Sequence, residues 1–164
     1  MTDLPPGEYV AVIGPADASE QMCAMAEEVG RLLAAAGVVV VTGGLGGVMA
    51  AACRGARSAG GRTVGVLPGR DRSAANEWVD IALPTGLAEM RNALVVGAAD
   101  AVIAVGGSWG TLSEVALARR GQRPVVGLQT WTVSDEHGQP IADSVRTATD
   151  AQQAVELALA ALPR

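Results

Sequence analysis

The sequence predicts a single three-layer α/β domain over residues 1–164, with a mainly parallel β-sheet and helices on both faces. Three observations carry that expectation. Short runs rich in Val and Ile alternate with stretches of helical period, the runs are apolar on both faces, and glycine turns join several of them to the helices that follow. A chain of 164 residues is long enough for one core. With 49% apolar and 18% charged residues it is not a disordered polymer, and with only 2% aromatic residues its core falls to Val, Leu, Ile and Ala.

Val10–Ile13 is the first strand, ending at Gly14-Pro15. Asp17 and Glu20 stand at capping-box spacing before a helix marked by Met22, Met25, Ala26, Val29, Leu32 and Leu33, which Gly37 stops. Val38–Val41 is a central strand, and Gly43-Gly44-Leu45-Gly46-Gly47 leads from it into a helix over 48–58. Thr63–Leu67 is the next strand. Arg70–Glu77 is a polar surface loop, and Trp78–Leu83 a weaker strand. Leu87–Val96 is expected to be helical and carries Glu89, Arg91 and Asn92. Ala101–Val105 is a strand running into Gly106-Gly107-Ser108-Trp109-Gly110-Thr111, Leu112–Arg119 a helix ended by Gly121, and Val125–Leu128 a strand. Ser134–Gln139 is a turn, and Asp150 caps a last helix over 151–162. Alternation of this kind gives right-handed crossovers and a Rossmann-like architecture.

Several function classes are excluded by composition. The chain contains no lysine, so neither a pyridoxal phosphate Schiff base nor a Walker-type phosphate loop can be built. The net charge of −5, with arginines scattered, argues against nucleic acid as a partner. No segment has transmembrane length and the first residues do not read as a secretory signal, so no membrane partner is expected and the cytoplasm is the expected compartment. Cys23 and Cys53 fall in helical segments without metal or disulfide spacing. They are expected to be reduced and mostly buried, and no metal site is expected.

The chemistry is expected where the glycine turns meet. The carboxyl edge of a parallel sheet is where such folds bind ligands, and glycine turns leading into helix starts offer unpaired N–H groups and partial positive charge to an anion. Gly14, Gly43, Gly44, Gly46, Gly47, Asn92, Gly106, Gly107, Ser108, Trp109, Gly110 and Thr111 are the candidate ligand contacts, with phosphate as the expected anion. Met49 stands where the dinucleotide fingerprint needs its third glycine, so hydride chemistry is not supported. Trp109, inside a glycine turn, is placed either to stack on a base or pterin or to pack on the sheet edge. His137 is given no role.

Glu114 has two readings. Thr111-Leu112-Ser113-Glu114 has capping-box form, in which the carboxylate only secures a helix start, and the pattern alone favours that account. The other reading makes Glu114 a catalytic carboxylate with Arg91 as its cationic partner. Arg91 alone reads as a solvated residue paired with Glu89 or another neighbour.

Three segments resemble the LOG-like proteins, a Rossmann-type family long mislabelled as lysine decarboxylases. They are Val41-Thr42-Gly43-Gly44 with Gly46-Gly47-Val48-Met49, Glu89-Met90-Arg91-Asn92, and Gly106-Gly107-Ser108-Trp109-Gly110-Thr111-Leu112-Ser113-Glu114. The resemblance covers about residues 10–128. It implies hydrolysis of the N-glycosidic bond of a nucleoside 5′-monophosphate, with Glu114 as catalytic carboxylate, Arg91 as essential arginine and the turns holding phosphate. Val105 departs from the proline of that pattern, and the arginine helix lacks its histidine and lysine. These departures, with Asp71-Arg72 to Ala75-Asn76, look closer to a sister branch that includes molybdenum cofactor carrier proteins. The resemblance thus implies first a binder of a nucleotide or molybdopterin-type cofactor, with no cofactor required for catalysis, and second a phosphoribohydrolase. Single-stranded DNA binding, as in a DNA-processing protein of similar fold, ranks third because the chain is acidic and poor in aromatic residues. A homodimer or larger homo-oligomer is also implied.

Overall fold

The computed structural model describes residues 8–141 and 144–162. Its strands are β1 (Tyr9–Ile13), β2 (Val39–Thr42), β3 (Thr63–Leu67), β4 (Ile81–Pro84), β5 (Ala101–Val105), β6 (Val125–Leu128) and β7 (Arg146–Thr147). They form one sheet in the order β4-β3-β2-β1-β5-β6-β7. Every pairing in it is parallel. The helices are α1 (Glu20–Ala35), α2 (Val48–Ser58), α3 (Asn92–Gly97), α4 (Trp109–Arg120) and α5 (Ala151–Ala160).

Alternation along β1 divides the core between the two faces. Val10 and Val12 pack with Val29 and Leu33 of α1, Ala52 of α2 and Ala154 of α5. Ala11 and Ile13 face the other way, onto Val95 of α3 and Val115 and Ala118 of α4. The sheet is thus covered on both sides, as the apolar runs require. On the first face α1 and α2 touch at their main chains: a Cβ on Gly30 would overlap the Ala52 carbonyl, and one on Gly55 the Glu27 carbonyl. Glu27 and Arg54 bridge the same crossing, with Nη2 to Oε2 at 2.7 Å.

The elements depart from the pattern in several places, small shifts of strand and helix ends among them: β2 runs one residue later than expected and α5 ends at Ala160 rather than 162. The cap of α1 is Ser19, whose side chain accepts from the Met22 N–H, so the Asp17–Glu20 capping box does not form. β4 starts at Ile81 rather than Trp78, because Thr63 Oγ1 donates to the Trp78 carbonyl at 2.7 Å and accepts from the Asp80 N–H at 2.8 Å, which holds these residues off the ladder. The expected helix over 87–96 is split: Ala88–Arg91 is a 3-10 turn, tied to the end of β3 by Ala88 N–H to the Pro68 carbonyl, and only Asn92–Gly97 is α-helical. Strand β7, two residues long, carries no periodic signal. Asp150 does cap α5, accepting from the Gln153 N–H. Cys53 is buried and Cys23 half-buried, and both are free thiols. No described helix is long and apolar enough to cross a membrane.

Candidate functional site

Strand order reverses at β1, since β2 leads away on one side and β5 on the other. In parallel sheets the crevice at such a point binds ligands. The turns after β1, β2 and β5 converge here. A Cβ on Gly14 would overlap the Val105 carbonyl, and the Val48 N–H at the start of α2 donates to the Pro15 carbonyl at 3.1 Å. Gly44 and Gly47 have φ of +75° and +60°, conformations that glycine adopts without strain. The N–H groups of Leu45, Gly46 and Gly47 donate to no acceptor among the described residues. They form a cluster of free donors at the start of α2, the backbone arrangement that holds oxyanions.

Asn76 keeps that turn in shape. Its N–H donates to the Gly44 carbonyl and its Nδ2 to the Leu45 carbonyl, both at 2.9 Å. Both carbonyls are thereby occupied. Sequence reasoning placed Asn76 in a polar surface loop and in a segment of resemblance, and no local pattern shows that it reaches back to the glycines.

Arg91 is buried, with 7% of its surface exposed, and is not the solvated helix residue its sequence context suggests. The 3-10 turn aims its guanidinium at the end of β2, where Nη1 and Nη2 occupy the space a Gly43 side chain would fill. Nε and Nη1 have no hydrogen-bond partner. Glu114 faces it, with Nη1 to Oε1 at 4.0 Å, beyond hydrogen-bond reach. Burial is the main force on both groups. It lowers the Arg91 pKa, with Glu114 and Glu89 opposing, and pushes the Glu114 carboxyl up to about 7, with Arg91 pulling down and Glu89 adding to the rise. Asn92, also buried, donates Nδ2 to Ser113 Oγ at 3.0 Å, and Ser113 in turn donates to the Gly110 carbonyl.

The capping box at Thr111–Glu114 does not form. Helix α4 starts one turn earlier, at Trp109, and its cap is Ser108, whose side chain accepts from the Thr111 N–H at 3.2 Å. Gly110 and Thr111 therefore lie inside the first turn of α4. Glu114 lies in the second turn, free of any capping duty, with its side chain directed at Arg91.

Gly106 and Gly107 lie in the turn between β5 and α4. A Cβ on Gly107 would stand 2.8 Å from Nε1 of Trp131, whose indole lies on this peptide and donates to the Ser108 carbonyl at 3.1 Å. Trp109 packs on Trp131 with ring centroids 5.5 Å apart and planes 32° apart, and remains 79% exposed. Nothing in the residues around Trp131 signals this contact. An apolar hollow of about 310 Å³ lies elsewhere along α4, lined by Leu112, Val115, Ala116, Arg119, Val133 and Ile141, and contains none of the expected site residues. Among the described residues no group of three His, Cys, Asp or Glu is arranged to hold a metal ion.

The chain is similar to several known proteins. A molybdenum cofactor binding protein from the phototrophic bacterium Rippkaea orientalis is 35% identical, with a TM-score of 0.84 and coverage of 94% of this chain and 96% of that one. The molybdenum cofactor carrier protein of Chlamydomonas reinhardtii is also 35% identical, with a TM-score of 0.83 over 94% of this chain and 98% of that one. An uncharacterized protein of Archaeoglobus fulgidus is 41% identical over 120 residues, covering 73% of this chain and 79% of that protein. Since the SLOG cluster4 family signature matches residues 8–159, the chain belongs to the SLOG cluster4 family.

Proposed function

We propose that this protein binds a phosphate-bearing small molecule, a nucleotide or a molybdopterin-type cofactor, in the crevice between the turns after β2 and β5. The observation that carries this reading is Arg91, a buried cation with Nε and Nη1 unpartnered, set against Gly43 beside a cluster of free backbone N–H groups. Burying a cation without an acceptor costs several kcal/mol, on the order of a whole domain's margin of stability, and an oxyanion supplies the missing acceptor. A molybdenum cofactor meets the same test, because its phosphate suits these donors. It would be cargo, held by Arg91, Gly43–Gly47 and the first turn of α4. The similarity to cofactor binding and carrier proteins supports this assignment.

A second reading is favoured by one observation. Glu114 is freed from capping and its carboxyl sits near neutrality beside Arg91. A carboxyl of that kind exchanges a proton at physiological pH and supports an oxocarbenium-like transition state, as cleavage of a nucleoside 5′-monophosphate to free base and ribose 5-phosphate requires.

Met90 in the turn before α3, Leu94 of α3 and Leu117 of α4 are each exposed, and a homodimer or larger homo-oligomer would cover such side chains. The two free thiols suit a reducing compartment, the cytoplasm.

The test is incubation with a panel of nucleoside 5′-monophosphates, following free base by chromatography, with Glu114→Gln alongside and calorimetric titration of the same ligands and of molybdopterin. Saturable binding that survives the substitution, without base release, supports the binder. Base release that disappears in the variant establishes the hydrolase. Absence of binding to every ligand removes the phosphate reading.

A further inference from the structure

We infer that Trp109 and Trp131 form a stacking platform for a planar bicyclic ring, a purine or a pterin, at the β6 side of the crevice. This inference rests on the phosphate-binding reading and adds the ligand's other end and its orientation. Three groups are already in sequence here: the Gly107 residue, the Trp131 indole beside it, and the Trp109 indole against Trp131 with the two planes 32° apart. The inner ring is fixed. Its Nε1 donates to the Ser108 carbonyl at 3.1 Å, and a side chain on Gly107 would displace it.

The outer ring is held by its neighbour yet 79% exposed, the highest exposure among the large apolar side chains described. Such a surface is costly to leave in water and is the amphipathic kind that stacks on heterocycles. Trp109 is also the first residue of α4, so its ring is rooted beside the free N–H groups of the helix start. Strand order sets the direction. Arg91 and Gly43–Gly47 lie at the end of β2, Trp109 follows β5 and Trp131 follows β6. The phosphate of a bound ligand therefore lies toward β2 and its ring toward β6. Adjacent strands are ~4.8 Å apart, so the two ends of the site are separated by roughly 10–14 Å across two to three spacings. An inorganic anion alone leaves the aromatic end uncovered. A bicyclic ring offers more overlap with an indole pair than a pyrimidine does.

The test uses the Trp78→Phe background, because the third indole lies under Arg54, 5.3 Å from the guanidinium carbon, and would contribute unrelated fluorescence. GMP, UMP and ribose 5-phosphate are titrated by calorimetry, with indole emission read in parallel. GMP is expected to quench emission saturably and to bind more tightly than UMP. Trp109→Leu is expected to weaken GMP binding about tenfold, in line with loss of one base–aromatic stack, and to leave ribose 5-phosphate within about twofold. Trp131→Phe, which keeps a ring and loses the bond to Ser108, is expected to weaken GMP less. Unchanged GMP affinity in Trp109→Leu, with ribose 5-phosphate still bound, overturns the platform and leaves the phosphate reading intact. The platform is equally overturned if Trp109→Leu dissociates an assembly of copies without altering GMP affinity. Failure of the parent protein to bind GMP, ribose 5-phosphate and molybdopterin alike overturns the platform and the phosphate reading together.

Discussion

The Arg91 guanidinium occupies the volume that a side chain at Gly43 would fill, so the strand turn and the buried cation exclude each other's alternatives. Gly43→Ala must push Nη1 and Nη2, and the Met49 sulfur beside them, out of place. Ribose 5-phosphate affinity, measured by calorimetry, should fall at least about tenfold, and stability by about 1–3 kcal/mol, the usual cost of overpacking. An unchanged affinity would show that Arg91 does not hold the anion.

Arg91→Met should separate binding from stability. Replacing a buried, half-unpartnered ion by an apolar chain of similar length is often neutral or stabilising, whereas leaving a bare partner charge is costly. At pH 6 the Glu114 carboxyl, with its pKa near 7, is mostly protonated, so no bare charge remains. Urea denaturation at pH 6 should therefore show a loss of no more than about 1 kcal/mol, while phosphate affinity collapses. A loss of several kcal/mol would mean that the guanidinium is a structural strut.

Glu114 gives the stability a pH dependence of definite sign. Its folded pKa of about 7 lies above the ordinary value of 4.5, so between these values the folded chain holds a proton that the unfolded chain releases. The contribution is complete below pH 4.5 and disappears as pH rises through 7. Wild type should lose stability relative to Glu114→Gln across that window, by roughly 1–3 kcal/mol, and run parallel to it above pH 8. Denaturation midpoints of both proteins at a series of pH values measure this directly. A flat difference would place the carboxyl in ordinary solvent contact.

Asn76→Ala removes the side-chain bond to the Leu45 carbonyl and the acceptor for the Trp78 N–H. Loss of about 1–2 kcal/mol is expected from hydrogen bonds of this kind. The sharper readout is hydrogen exchange, which should accelerate at the bonded amides of the turn, Gly44 to Thr42 Oγ1, Val48 to the Pro15 carbonyl and Asn76 to the Gly44 carbonyl, and leave β5 unchanged. Uniform acceleration would assign Asn76 a global role.

The strand-and-helix plan is legible in the sequence because its signals are local. The segments Thr63–Leu67 and Ala101–Val105 are bounded as their apolar runs indicate, and α2 occupies 48–58 as its glycine flanks require. Local pattern fails where the deciding contact is distant in sequence or where neighbours compete. Two residues within one segment can cap α4, and Ser108 wins over Thr111 because the helix starts inside the glycine turn. The burial of Arg91 depends on a 3-10 turn tied to Pro68, and Trp131 acquires its place only when β6 lies beside β5. Glu114 and Arg91 both stand out in the sequence, but their proximity and shared burial are visible only in three dimensions.

The main-chain contact of α1 with α2 at Gly30 and Gly55 also bears on motion. Two helices interlocked at carbonyl distance cannot slide independently, and they anchor the turns that follow β1 and β2. That wall of the crevice moves as one body or not at all. Gly30→Ala, which in an open helix would add about 1 kcal/mol of stability, should here cost on the order of 2–3 kcal/mol, read as a lower melting temperature. On the binding reading proposed above, the freedom to admit and release a ligand then belongs to the opposite wall, where the exposed Trp109 indole, held by its tilted contact with the anchored Trp131, is the part of the rim that yields first.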